Sequence, residues 1–418
     1  MSASNPNNPN NLYRGLFELL AVPGGTAAAM IALAATRPSR RELLNVARKE
    51  DCLPEVYARW DAEGQLSPAE SVEHDQLVRQ RASAADVLRV LPAGTLLVGA
   101  VGPRRGSGTL EVLLPDFAAV GALHEAVSRL GYRLRSTGDC FVQMDDPMHR
   151  GVATLRYAMS PLAEGAVAIE VQVAGVPVDA RRNLPFTELA ERATRLDGLA
   201  CRALEPTREL LRRIVAFGAR SAPVTVREIA DLHALLSAPA VRIDHAWLQR
   251  KVELLKTWTG LRQIREAIVA KRLGASLSWG EFGRLIELGA ARAEAGAAPG
   301  ARTPRVGALL KNAFDLCHGA REDDLVAKLA RNPAIVFGVL GAGYRVRAVP
   351  VSTKSYDAPR FLRIDGGLYL ATGAGLMLLS LVDLREGARS ALGERVRTGG
   401  RPVVLARWTT SRARAGTR

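Results

Sequence analysis

The sequence predicts an α+β protein: a mixed sheet flanked by helices, with a helical region on either side of it in the chain and a small C-terminal α/β unit. Three observations carry this expectation. Residues 96–175 alternate short apolar runs with Gly and Pro stops around one stretch of helical period. Residues 11–91 and 205–273 place apolar side chains at helical spacing behind capping signals. Beyond an Ala-, Gly- and Pro-rich stretch at 294–306, strand-like runs resume. A chain of 418 residues, 48% hydrophobic, has the length and apolar content for two or three domains. The expected divisions are a disordered Asn- and Pro-rich tail at 1–10, a helical region at 11–92 and a sheet core at 93–200. A helical domain at 201–293, a linker at 294–306 and a C-terminal unit at 307–418 follow.

Taken in order, the first helical region carries two capping boxes, Ser39 with Glu42 and Ser67 with Glu70. Pro68 suits the first turn of a long charged helix that runs to about Leu91. Residues 96–101 form an apolar run stopped by Gly102-Pro103. The loop Gly102-Pro103-Arg104-Arg105-Gly106-Ser107-Gly108 has freed backbone N–H groups and two guanidiniums, the chemistry of phosphate binding. No Gly-Lys-Ser/Thr leads from it into a helix, so it is not a P-loop.

Residues 109–114 read as a strand whose only polar side chains, Thr109 and Glu111, fall on one face by period-2 alternation. Pro115 and Asp116 open a helix with Val120, Leu123, Val127 and Leu130 on one stripe, and Gly131 stops it. Tyr132 starts the next strand. Residues 139–144, 152–157 and 166–175 are further strands, and Asp145-Asp146-Pro147 is turn chemistry. In the second helical region Leu210, Leu211, Ile214 and Val215 form one apolar stripe, and Ile229, Leu232, Leu235 and Leu236 another. Asp244 is an N-cap. His233 is expected on a solvated face. Residues 307–331 read as helical, and five short runs between 334 and 408 read as strands.

Composition narrows function. The formal net charge of +15, mostly from arginine, favours an anionic partner: a nucleotide, a nucleic acid or an acidic protein surface. Codon bias toward Arg, Ala and Gly gives the same charge without any partner. The four cysteines lie far apart and the six histidines form no ligand array, which argues against zinc and disulfides and for a cytoplasmic chain. Cys317-His318 is a pair without sequence partners. No apolar run is long enough to span a bilayer, so no membrane partner is expected.

The order Gly turn, acidic strand, helix ending in Leu130-Gly131-Tyr132, then Ile169-Glu170-Val171-Gln172 resembles the nucleotidyltransferase superfamily with the DNA polymerase β-like fold. The resemblance covers roughly residues 91–255 and is nearest to a group of uncharacterised bacterial nucleotidyltransferases. It implies a nucleotidyltransferase-like mixed sheet, a nucleoside triphosphate on Gly106 and Ser107, charge neutralisation by Arg104 and Arg105, and Mg²⁺ on carboxylates that clamp attacking and leaving oxygens. Residue by residue, the family's first acid falls on Thr109, the second on Glu111 and the third on Glu170. Gln172 replaces a nearby histidine. Glu111 and Glu170 are therefore the expected catalytic and metal-holding residues of a degenerate acidic centre. Glu228 stands where a helical motif of the family begins with Asp. The resemblance leaves two outcomes: nucleotidyl transfer to an acceptor it does not identify, or a catalytically inactive scaffold for a protein or nucleic-acid partner.

Overall fold

The structure, a computed structural model, describes residues 9–21, 39–99, 109–135, 140–144, 151–159, 166–178, 182–220, 222–274, 277, 279–296, 332–341, 345–364, 367–381 and 403–407. It is mixed α+β. The elements begin with α1 (Pro9–Ala21), α2 (Arg40–Lys49), α3 (Leu53–Ala62), α4 (Pro68–Val90), β1 (Leu96–Leu97) and β2 (Thr109–Leu114). Then come α5 (Ala118–Arg129), β3 (Tyr132–Leu134), β4 (Phe141–Met144), β5 (Gly151–Met159), β6 (Ala168–Val173), β7 (Gly175–Pro177) and β8 (Asn183–Pro185). α6 (Phe186–Ala190), β9 (Thr194–Arg195), β10 (Arg202–Ala203), α7 (Pro206–Ala219), α8 (Val226–Ser237) and α9 (His245–Leu255) follow. The rest is α10 (Trp258–Ala270), α11 (Gly280–Gly296), α12 (Pro333–Gly341), β11 (Val346–Ser352), β12 (Arg360–Ile364), β13 (Gly367–Thr372), β14 (Gly375–Ser380) and β15 (Val403–Arg407). The chain divides into two compact units. One joins residues 1–83, 99–108 and 205–298; the other joins 84–98, 109–204 and 299–418.

The first unit is helical, and its helices start where the capping chemistry places them. Ser39 Oγ accepts from the Glu42 N–H at 3.2 Å. Ser67 and Glu70 satisfy each other reciprocally, at 2.8 and 3.4 Å. Asp244 caps Trp247 N–H at 2.9 Å. Leu210, Leu211 and Ile214 of α7 and Ile229 and Leu232 of α8 are fully buried, as their stripes require. Gly260 of α10 lets that helix lie directly on α7: a Cβ there would come within 1.9 Å of the Ile214 carbonyl.

A buried ion pair ties the ends of this unit together. Glu50 is 2% exposed and its two carboxylate oxygens accept from Lys271 Nζ, each at 2.7 Å, and from the Val226 N–H at 2.8 Å. Beside it, Asp51 holds a left-handed backbone at φ 59°. Arg227 donates from Nε to the Asp51 carbonyl at 3.0 Å and pairs with Glu55.

The second unit is a mixed sheet of thirteen strands among the described residues, in the order β15-β12-β13-β14-β11-β4-β5-β6-β2-β1-β10-β9, with β3 on β5. β2 and β6 are parallel; their neighbours β1 and β5 run antiparallel to them. One face is apolar: Leu110, Val112, Leu114, Ile169, Val171 and Val173 are all buried, as are Phe117, Val120, Leu123 and Val127 in and just before α5. The Asp116 carboxylate caps Ala119 N–H at 3.0 Å, so the helix starts two residues later than its Pro-Asp signal suggests. β1 is shorter than the predicted run, because a turn at residues 98–99 ends it.

The largest departure from expectation is at the C-terminus. A separate unit is expected from residue 307, yet β11 pairs antiparallel with β4, Val346 opposite Val142 and Arg347 opposite Phe141, and the sheet continues through β14, β13, β12 and β15. Gly121 of α5 packs against Gly373 in the β13–β14 turn, where an added Cβ would meet the facing backbone at 3.2 Å. The strand runs were legible; their partner was not. The linker at 297–306 and the helix expected at 307–331 lie outside the described residues. So do 1–8, although Pro9 and Asn10 already belong to α1 rather than to a tail.

Candidate functional site: an acidic pair in register

The site is built by the pairing of two strands. β2 and β6 have the same burial pattern, half-buried at their first and third residues and buried elsewhere. Their register sets Thr109 opposite Ala168 and Glu111 opposite Glu170. Neighbouring strands lie about 4.8 Å apart, so the two glutamates stand side by side on the polar face of the sheet. Like charges directly opposite each other cost stability unless a cation lies nearby.

The next strand brings one. β5 sets Arg156 opposite Glu170 in the antiparallel register, which makes a cross-strand row Glu111, Glu170, Arg156. Arg156 is anchored through its backbone: its N–H donates to Cys140 Sγ at 3.3 Å and its carbonyl accepts from Arg135 N–H at 2.8 Å. A guanidinium on a carboxylate is among the stronger charge-assisted pairings available to a half-buried row. Sequence reasoning passed over Arg156. Its one signal is a charged residue inside the otherwise uncharged strand segment 151–159.

One step along β6 on the same face lies Gln172, opposite Thr154 of β5 and Leu113 of β2. It is 9% exposed, and its Oε1 is buried without a hydrogen-bond partner. At the far end of this face Gln143 of β4 is buried and accepts from Arg345 Nε at 3.3 Å. Burial lowers the Arg345 guanidinium below the usual arginine value.

The donors do not fit the two-cation centre that the resemblance implies. Among the described residues no three His, Cys, Asp or Glu side chains converge on a metal-sized volume. The first acidic position is the neutral Thr109, the residue across from it is Ala168, and a guanidinium takes the remaining place in the row. The loop residues Arg104, Arg105, Gly106 and Ser107 lie outside the described residues, as do Asp145, Asp146, Cys317 and His318.

Two further residues have structural work. Glu228 closes a capping box with Thr225, accepting its backbone N–H at 2.9 Å, and takes both Arg220 nitrogens at 2.7 and 2.5 Å. His233 does not lie on a solvated face. It is half-buried, tilted against Phe17 at 5.6 Å between centroids, and accepts from Trp279 Nε1 at 3.2 Å. No helix among the described residues is long and apolar enough to cross a membrane. Comparison of the chain with protein-family models, curated proteins and solved structures gives no match.

Proposed function

We propose that the chain is a nucleotidyltransferase-like protein that binds an anionic partner, a nucleotide first among them, without transferring a nucleotidyl group. The observation that carries this reading is the in-register row Glu111–Glu170–Arg156. A two-cation transferase uses bridging carboxylates to hold its ions. Here one carboxylate position is a threonine, and a fixed positive charge beside Glu170 performs the neutralisation that a cation would perform. The +15 net charge supports an anionic partner, and the Gly-rich loop with Arg104 and Arg105 is the element suited to phosphate.

The test pairs binding with turnover. Labelled ATP is equilibrated with the protein in EDTA, and pyrophosphate release is followed with each nucleoside triphosphate in Mg²⁺ and Mn²⁺. Binding without a divalent cation, weakened by R104A/R105A, and no pyrophosphate release above background are the expected results. Divalent-dependent release that disappears in Glu111→Gln would replace this reading with the transferase.

One observation favours that second reading: the buried Gln172 Oε1 adds a third hard oxygen donor on the face of Glu111 and Glu170. Such a set suits a single divalent cation. Mn²⁺ titration of the wild type and Gln172→Leu distinguishes the two. The binding-only reading expects no Mn²⁺ uptake in either protein; uptake in the wild type that is lost in the variant supports the transferase.

A further inference from the structure

The helical unit holds its first helix through an aromatic contact centred on one imidazole. α1 presents Leu12, Leu16, Phe17 and Leu20, all buried, at spacings that make one apolar face, and it packs on α8. The Phe17 ring leans on His233 of α8. Trp279, ahead of α11, reaches the same imidazole, its indole N–H donating to Nδ1 at 3.2 Å. Ser237 Oγ stands 3.4 Å from the same nitrogen.

An indole nitrogen can only donate. His233 Nδ1 must therefore present a lone pair, and the ring is the neutral tautomer with its proton on Nε2. A second proton would point at the indole N–H, so the clasp and the imidazolium exclude each other. We propose that His233 is a proton-operated clasp: neutral, it bridges α1 to the Trp279 turn, and protonation releases α1 from α8.

Among the described residues, no carboxylate is paired with the His233 ring. The groups that face the ring are Phe17 from α1, Trp279 and, on its own helix, Ser237. None of them carries charge near neutral pH. Of the charged groups on neighbouring elements, Glu18 pairs with Arg14, Asp231 with Arg213, and Lys271 with Glu50 and the Tyr13 ring. Burial holds the His233 pKa below the ordinary histidine value. A depressed histidine pKa contributes stability that is present above the unfolded value and lost as pH falls through the folded one.

Hydrogen–deuterium exchange on the full-length protein tests the clasp at about pH 7.5 and about pH 5, each corrected for intrinsic rates. The expected result is protection of residues 12–20 that falls several-fold at the lower pH in the wild type. In His233→Gln, whose amide oxygen can still accept from Trp279 but cannot be protonated there, protection stays level. Trp279→Phe removes the donor and flattens the same pH dependence, and it serves if the glutamine variant fails to fold. Level protection in the wild type, or an unchanged pH dependence in both variants, overturns the proposal.

Discussion

Two of the carboxylate sites among the described residues, one in each unit, are held off bulk water in different ways. In the helical unit Glu50 is sealed and fully partnered: one ammonium on both oxygens and one backbone N–H. In the sheet unit Glu111 and Glu170 are half-buried and opposite each other by strand register, with Arg156 opposite Glu170 on the next strand. The first arrangement uses all its acceptors on the protein itself and is a structural tie. The second sets two carboxylates side by side, half-buried, on one face of the sheet.

The sharpest way to break the comparison is to take away the ammonium. Lys271→Met should cost about 3–5 kcal/mol in denaturant unfolding, because Glu50 would remain buried and unpaired. The double change Glu50→Gln with Lys271→Met should recover much of that loss. No recovery would show that Lys271 acts through its contact with Tyr13 instead.

Asp51 gives the next effect. Burial pushes its carboxyl up to about 6, and Arg227 only partly opposes the shift. The folded state therefore binds this proton more tightly than the unfolded state. Stability falls as pH rises from the unfolded value, near 4, through 6, and stays lower above it. Asp51→Asn should remove that slope and raise stability at pH 8 by up to about 2–3 kcal/mol, since asparagine also tolerates the left-handed φ. Thermal melts across pH 4–8 check the prediction. A slope that survives the change would assign it to another group.

A third change probes the sheet extension rather than the charges. Gly373→Ala would drive a Cβ to 2.5 Å from the Gly121 Cα, so a loss of about 1–3 kcal/mol is expected. If the C-terminal strands folded apart from α5, the same substitution would leave the main transition unmoved.

The smallest effect belongs to the acidic row. Glu111→Gln should leave stability unchanged or raise it by about 0.5 kcal/mol, because it relieves one like-charge pair across the strands. A loss as large as that of Lys271→Met would mean that the row is a structural tie like Glu50, and the comparison would fail.

What the sequence made legible is local. Caps at Ser39, Ser67 and Asp244, the stop at Gly131 and the stripes of α7 and α8 each depend on residues within a few positions, and each is found in place. The alternation of residues 109–114 put Thr109 and Glu111 on one face, and the motif order brought Glu170 beside them. What stayed hidden is pairing at long range. Gln143 of β4 and Arg345, just ahead of β11, hydrogen-bond across 202 positions, and no local pattern marks β4 as the partner of β11. Arg156 was missed for the same reason, since only cross-strand register brings it to Glu170. His233 looked solvated because Phe17 and Trp279 approach it from distant segments.

The tie between Glu50 and Lys271 also bears on how the chain is made. The two residues are 221 positions apart, and the residues between them include most of the other unit's sheet. At roughly 5–20 residues per second, a ribosome needs on the order of 10–45 s to follow Glu50 with Lys271. Through that interval α2 and α3 have emerged with a carboxylate whose neutralising ammonium is still unsynthesised. The helical unit therefore closes late and from both ends, and the nascent chain exposes its first helices before they have the neighbours that bury them.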